Sequence, residues 1–313
     1  MNYAFDPELA AVAGLIPDLA TVDIPTMRAV TAEMFSSAMG ELDHSGLDVR
    51  DELVPGAAGD PDVRLRIYTP DQPMGPAAVY YVHGGGFIIG SIDMFDGESV
   101  RLARQLGVVV VSVEYRMAPE HPYPAALEDC YAGLQWMAEN SDTLHIDASR
   151  IAIHGSSAGG GLCAGLTLLA RDRGGPSIAF QALGVPELDD RLETASMRAF
   201  TDTPMWARPQ AILSWDAYLG SGRRGTSDIP SYAAPARATD LIGLPPAYIS
   251  VMEFDPLRDE GIAYAQALMS AGISVELHAY PGTFHGSGIV EQAAVSRREA
   301  EELLVVLRRA LKL

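Results

Sequence analysis

Ile151-Ala152-Ile153 is a short apolar run that leads, through Gly155-Ser156-Ser157-Ala158-Gly159, directly into a helix-like stretch over 161–171. A strand that becomes a helix within so few residues needs a sharp turn. Glycines beside the serine let that turn press against neighbouring backbone, where a Cβ would clash. Such a corner exposes the serine hydroxyl and aims backbone amides at the same point. The strand also needs a sheet to join. Apolar runs over 78–82, 108–113, 178–185, 247–252 and 275–280 alternate with helical stretches. That rhythm predicts a mostly parallel central sheet with helices on both faces.

The run over 78–82 is followed by His83-Gly84-Gly85-Gly86, whose successive glycines leave their amides able to approach a ligand. A serine hydroxyl is a weak nucleophile until a base takes its proton, and the base needs an acid to orient it. His285 lies in Pro281-Gly282-Thr283-Phe284-His285-Gly286, a turn after the 275–280 run. Asp255 follows the 247–252 run, where a strand would end at the ligand-binding edge of the sheet. Asp259 and Glu253 are rivals for the acid. His121 and His154 read as structural, one in a Pro-rich turn and the other closing a strand.

Together these segments resemble the hormone-sensitive-lipase-like family of bacterial esterases, part of the α/β-hydrolase superfamily, over most of the chain. The resemblance is carried by His83-Gly84-Gly85-Gly86-Phe87, Glu114-Tyr115-Arg116-Met117-Ala118-Pro119-Glu120, Pro122-Tyr123-Pro124-Ala125-Ala126 and Asp129. Gly155-Ser156-Ser157-Ala158-Gly159-Gly160, Asp255-Pro256-Leu257-Arg258-Asp259-Glu260 and Phe284-His285-Gly286 continue it in the same order. It implies an α/β-hydrolase fold with a helical cap, and a serine carboxylesterase acting on short- to medium-chain acyl esters. It further implies Ser157, Asp255 and His285 as catalytic triad, Gly84, Gly85 and Ala158 as oxyanion donors, and no cofactor or metal. The chain departs from the family at Ser156, where an acidic residue usually precedes the nucleophile. That puts in doubt the hydrogen-bond network such an acid would anchor behind the elbow.

Residues 1–50 read as an N-terminal helical cap segment and 51–313 as the catalytic domain, with a cap insertion at about 187–228. Polar and apolar residues alternate in Val63-Arg64-Leu65-Arg66-Ile67-Tyr68, which predicts an edge strand with one wet face. Met34, Phe35, Met205 and Trp206 are candidates for the substrate pocket beneath the cap. Glu187, Asp189 and Asp190 read as a solvated loop, having no paired histidine spacing that would suggest a metal site. Gly159-Gly160-Gly161-Leu162-Cys163-Ala164 formally fits a dinucleotide fingerprint. It begins inside the elbow, so its small residues read as a means of packing a helix tightly on the sheet.

Composition sets bounds on function. A chain of 313 residues with 48% hydrophobic content can bury a large core. Its net charge of −19 opposes phosphate backbones and anionic membrane surfaces, so neither nucleic acid nor membrane is an expected partner. Lys312 is the sole lysine, which excludes a phosphate-binding loop ending in Gly-Lys-Ser/Thr. Cys130 and Cys163 read as small buried thiols. The N-terminus lacks a basic secretory leader, which points to the cytoplasm. A homodimer stays open, since buried and exposed sheet edges read alike. The same triad would serve amides, lactones or carbamates, and a lipase acting at lipid interfaces is disfavoured by the acidic charge. A non-catalytic binding protein on this fold would ordinarily have lost one of the three residues.

Overall fold

The sheet is built from runs whose alternate side chains serve two separate cores. The computed structural model describes residues 3–19, 22–38 and 42–313. In chain order the elements are α1 (Pro7–Ala13), α2 (Ile24–Ala38), β1 (Leu47–Val54), β2 (Val63–Pro70), β3 (Ala78–Val82), α3 (Asp96–Leu106) and β4 (Val109–Glu114). Next come α4 (Ala125–Glu139), α5 (Ser141–Leu144), β5 (Ile151–Ser156), α6 (Ala158–Arg173), β6 (Phe180–Gly184), α7 (Ala195–Ala199) and α8 (Arg208–Leu219). The chain closes with β7 (Ala247–Phe254), α9 (Arg258–Ser270), β8 (Val275–Phe284) and α10 (Ala294–Leu311).

The strand order is β1-β2-β4-β3-β5-β6-β7-β8. β1 and β2 pair antiparallel, as do β2 and β4, and every pairing from β4 to β8 is parallel. On β3, Tyr80 and Val82 face the core formed with α4, α6 and α9, while Val79 and Tyr81 face the one formed with α3 and α10. Burial on both faces explains why these strands read as continuous apolar runs. From β3 the chain crosses to β4 on one side, then returns past it to β5 on the other. Loops leaving the carboxyl ends of β3 and β5 therefore diverge and leave a crevice, where open parallel sheets bind ligands.

The expected edge strand needs correcting. Val63–Pro70 is β2, second in the sheet, and the edge is β1, Leu47–Val54. Asp48, Arg50, Asp51 and Glu52 line β1, and charge of this kind discourages a free edge from pairing with another chain. Those charges also hid the strand in a stretch read as helical.

α6 is buried along almost its whole length, so it runs through the core and carries no polar face. A Cβ on Gly159 would come within 2.2 Å of the Val82 carbonyl, and one on Gly165 within 2.3 Å of the Tyr232 carbonyl. The small residues serve close packing, as read from the sequence. Cys130 and Cys163 are free buried thiols, and burial pushes both well above the usual thiol range. Among the described residues, no helix is long and apolar enough to cross a membrane.

Candidate active site

Ser157 follows the last residue of β5 with φ +59° and ψ −125°, a conformation that costs a non-glycine residue about 1–3 kcal/mol. Backbone contacts hold it there. Its N–H donates to the Gly184 carbonyl at 2.8 Å, and its own carbonyl accepts from the amides of Gly161 (3.0 Å) and Glu187 (3.1 Å). A Cβ on Gly155 would meet Gly159 at 2.5 Å, so a larger residue there would force the turn open.

His285 follows β8 and Asp255 follows β7, which brings both to the carboxyl edge of the sheet beside Ser157. His285 Nε2 lies 3.0 Å from Ser157 Oγ, and His285 Nδ1 lies 2.7 Å from Asp255 Oδ2. The three residues are 9%, 7% and 1% exposed for Ser157, His285 and Asp255. Asp255 Oδ1 accepts the Leu257 amide at 2.8 Å, which fixes the carboxylate plane. The rival acids are engaged elsewhere: Asp259 accepts from the Ser196 amide and from Arg258, and Glu253 from the Gly282 amide. Such a chain can draw a proton from the serine hydroxyl and hold the resulting imidazolium.

The glycine loop lies against the elbow. A Cβ on Gly84 would come within 2.8 Å of the Ser156 carbonyl and 3.6 Å of the Ser157 Cβ. Gly85, Gly86 and Phe87 all have positive φ, at 119°, 58° and 61°. No turn or loop hydrogen bond takes up the amides of Gly84, Gly85 or Ala158 among the described residues, which leaves them available to an anion. His83 is stacked between Tyr115 and Phe95, with ring centroids 4.2 and 5.6 Å away, and its Nδ1–H donates to the Gly84 carbonyl at 2.8 Å. Burial holds its imidazole down at about 4 despite that hydrogen bond, so it is neutral and buttresses the loop.

A family model described as the alpha/beta hydrolase fold matches residues 79–288, which include each of these residues. The chain belongs to the α/β-hydrolase fold family. It is similar to Esterase LipI of Mycobacterium tuberculosis, 38% identical over 97% of this chain and 96% of that protein. Carboxylesterase NlhH of the same species is 42% identical over 83% of this chain and 82% of its own. Among solved structures, a bacterial heroin esterase superposes with a TM-score of 0.96 at 51% identity, covering 98% of each chain. Both the resemblance to the hormone-sensitive-lipase-like esterases and the expected fold class are borne out.

In this α/β-hydrolase two pocket candidates come close to the triad. The Trp206 and His285 rings lie 5.9 Å apart, and a Cβ on Gly86 would come within 2.3 Å of the indole. Met205 Cε would be 3.5 Å from a Cβ on Gly286, the residue after the histidine. Met34 is half-buried on α2, and the Phe35 side chain lies outside the described residues. Arg28 ties α2 to the glycine-loop region. Its guanidinium donates to the carbonyls of Ile88 (2.7 Å) and Ala118 (2.9 Å) and in a fork to Glu120, both bonds 2.8 Å.

The acidic stretch after β6 does not form a solvated loop. Glu187, Asp189 and Asp190 are all buried, because distant segments close on this stretch: the Glu187 carbonyl lies against Gly161 of α6 and its carboxyl against Ser214 of α8, the Leu188 amide donates to Glu260 of α9, and Asp190 accepts from the Gly225 amide. Asp190 is forked by Arg237 at 2.5 and 2.9 Å, and Asp189 by Arg191 at 2.7 and 2.9 Å. Glu187 has no such cation among the described residues. Its Oε1 lies 3.0 Å from Ser214 Oγ, which also bonds the Gly86 carbonyl at 2.9 Å. From the sequence Glu187 reads as a solvated residue, and Ser214 is not singled out there. Ser156, at the family departure, points its hydroxyl at β6, where a Cβ on Gly184 would come within 2.6 Å of it.

Proposed function

We propose that this chain, a carboxylic ester hydrolase, cleaves short- to medium-chain acyl esters through a covalent acyl-serine on Ser157. His285 takes the hydroxyl proton as Ser157 attacks the ester carbonyl, and Asp255 fixes the imidazole tautomer and balances its positive charge. The amides of Gly84, Gly85 and Ala158 hold the oxyanion, and losing one such donor ordinarily costs about 10²–10³ in kcat. His285 then protonates the leaving alcohol. Water, activated by the same histidine, attacks the acyl-serine and releases the acid.

The observation that carries this reading is the unbroken chain from Ser157 Oγ to His285 (3.0 Å) to Asp255 (2.7 Å), beside a glycine loop with unused amides. α1, α2 and the 187–228 segment would then form a cap that excludes water and shapes the acyl pocket, with Met205 and Trp206 in its wall. Chromogenic esters from acetyl to palmitoyl test the reading with wild type and Ser157→Ala. Wild type should turn over short chains fastest and label with a fluorophosphonate, and the variant should lose at least about 10⁴ in kcat and all labelling. A variant that keeps a tenth of the rate would overturn the serine mechanism. A wild type fastest on palmitoyl would overturn the chain-length assignment.

A further inference from the structure

Ser214, on α8, has a single hydroxyl proton and two oxygen neighbours, the Gly86 carbonyl at 2.9 Å and Glu187 Oε1 at 3.0 Å. A carbonyl oxygen can only accept, so the Gly86 contact takes the serine proton. The Glu187 contact then needs a proton of its own, which only a protonated carboxyl supplies. Glu187 is fully buried, its Oε2 finds no partner among the described residues, and no cation meets it there. An ionised group so placed would be costly, while a neutral acid leaves only one carbonyl-type oxygen unpaired.

We propose that Glu187 and Ser214 are positioning residues for the glycine loop. The Glu187 acid donates to the Ser214 hydroxyl, which donates to the Gly86 carbonyl and so holds the amides of Gly84 and Gly85 towards the oxyanion. Gly86 stands between Gly85 and Phe87 in a run of three positive-φ residues; the glycines adopt that conformation freely, so the loop's shape is fixed by its surroundings, while Phe87 at φ 61° is a non-glycine residue that keeps such a conformation only when it is over-determined. α8 supplies that support from outside the loop. Glu187 also joins the support to the nucleophile, because its amide donates to the Ser157 carbonyl at 3.1 Å. Burial pushes the Glu187 carboxyl up to about 8, the Ser214 hydrogen bond draws it down, and the Asp255 charge raises it. Besides Asp255, the ionisable groups that face it are Glu260 of α9 and Tyr218 of α8, which burial also raises. When Glu187 ionises, the Ser214 proton turns to the carboxylate and the Gly86 carbonyl loses its donor.

The proposal rests on the acyl-serine reading, and fluorophosphonate labelling of Ser157 tests that reading separately. Ser214→Ala should lower kcat for a short-chain ester about tenfold with KM within about threefold, since a hole that binds developing charge acts in the transition state. Glu187→Leu should lose a similar factor, and the double variant no more than either single one, because one path carries both effects. Glu187→Gln, whose amide N–H can still donate to Ser214, should recover most of that loss. In wild type kcat should fall as pH rises through about 8, and in Glu187→Gln that alkaline fall should disappear. Should the leucine variant fail to fold, Ser214→Ala and Glu187→Gln carry the test. An unchanged kcat in Ser214→Ala, or the same alkaline fall in Glu187→Gln, overturns the positioning role while labelling leaves the nucleophile standing. A wild type that does not label overturns both.

Discussion

At the scale of single residues, the proposed relay depends on two separate services of Asp255. One oxygen accepts the imidazole Nδ1–H at 2.7 Å, and the other is fixed by the Leu257 amide at 2.8 Å. Asp255→Asn would keep the shape and present a donor where the histidine needs an acceptor. The imidazole would then take the wrong tautomer, and kcat should drop about 10⁴-fold with the fold unchanged. Ester turnover together with thermal melting checks this, and a loss under tenfold would remove Asp255 from the relay. That Ser157 and His285 could meet was legible in the sequence because each lies in a turn after an apolar run, and the structure places them 3.0 Å apart. Asp255 was set apart from Asp259 and Glu253 in the sequence only by the family resemblance, since all three lie within seven residues at the end of one strand, and their different hydrogen-bond partners are what the residues alone could not report. Glu187 was illegible for a different reason. What buries it is Ser214 and its helix, 27 residues on, and no local pattern reports a contact between distant segments.

At the scale of elements, the loops beside the candidate site are tied to strands and helices by hydrogen bonds, and Arg28 supplies several of them. It reaches from α2 to the carbonyls of Ile88 and Ala118, on either side of β4 in the sequence, and forks onto Glu120. Its exposed partner contributes little: the Glu120 side chain is 55% exposed, and such a pair is ordinarily worth under about 1 kcal/mol. The carbonyls matter more. Arg28→Ala leaves both without their donor, at about 1–3 kcal/mol, and frees α2 from the edge of the site. Glu120→Ala should therefore alter KM for a medium-chain ester less than twofold, whereas Arg28→Ala should raise it several-fold. Equal effects from the two variants would show that α2 is held by the ion pair. The elements themselves were legible wherever an apolar run was buried on both faces, as at β3 or β7. β1 escaped notice because a strand at the sheet edge carries charges that protect it, and those charges break the apolar pattern by which strands are read.

At the scale of the whole molecule, an excess of acid meets a fold that raises some of its carboxyls, Glu187 buried with no cation among the described residues and Glu299 with only Arg101 to oppose the shift. The chain carries 41 acidic against 22 basic residues, and burial pushes Glu187 to about 8 and Glu299 to about 7. Each departs upward from an ordinary carboxylate value of 4.5, so each binds a proton more tightly folded than unfolded. Their stabilisation is fully present below about 4.5 and is lost as pH rises through the folded value. His83 acts in the opposite sense. Its folded value near 4 lies below the ordinary 6.5, so its contribution is complete above 6.5 and is lost as pH falls through 4. Glu299 titrates out near 7, which leaves Glu187 to govern the interval up to about 8. One pH unit of differential proton binding is worth about 1.4 kcal/mol, so wild type should lose roughly 2 kcal/mol through Glu187 between pH 6.5 and 8. Glu187→Gln has no proton to lose there, and its urea midpoint should fall correspondingly less over the same interval. If the two proteins lose stability in parallel from pH 6.5 to 8, Glu187 is already ionised when folded, and Ser214 cannot be holding the glycine loop in the way described above.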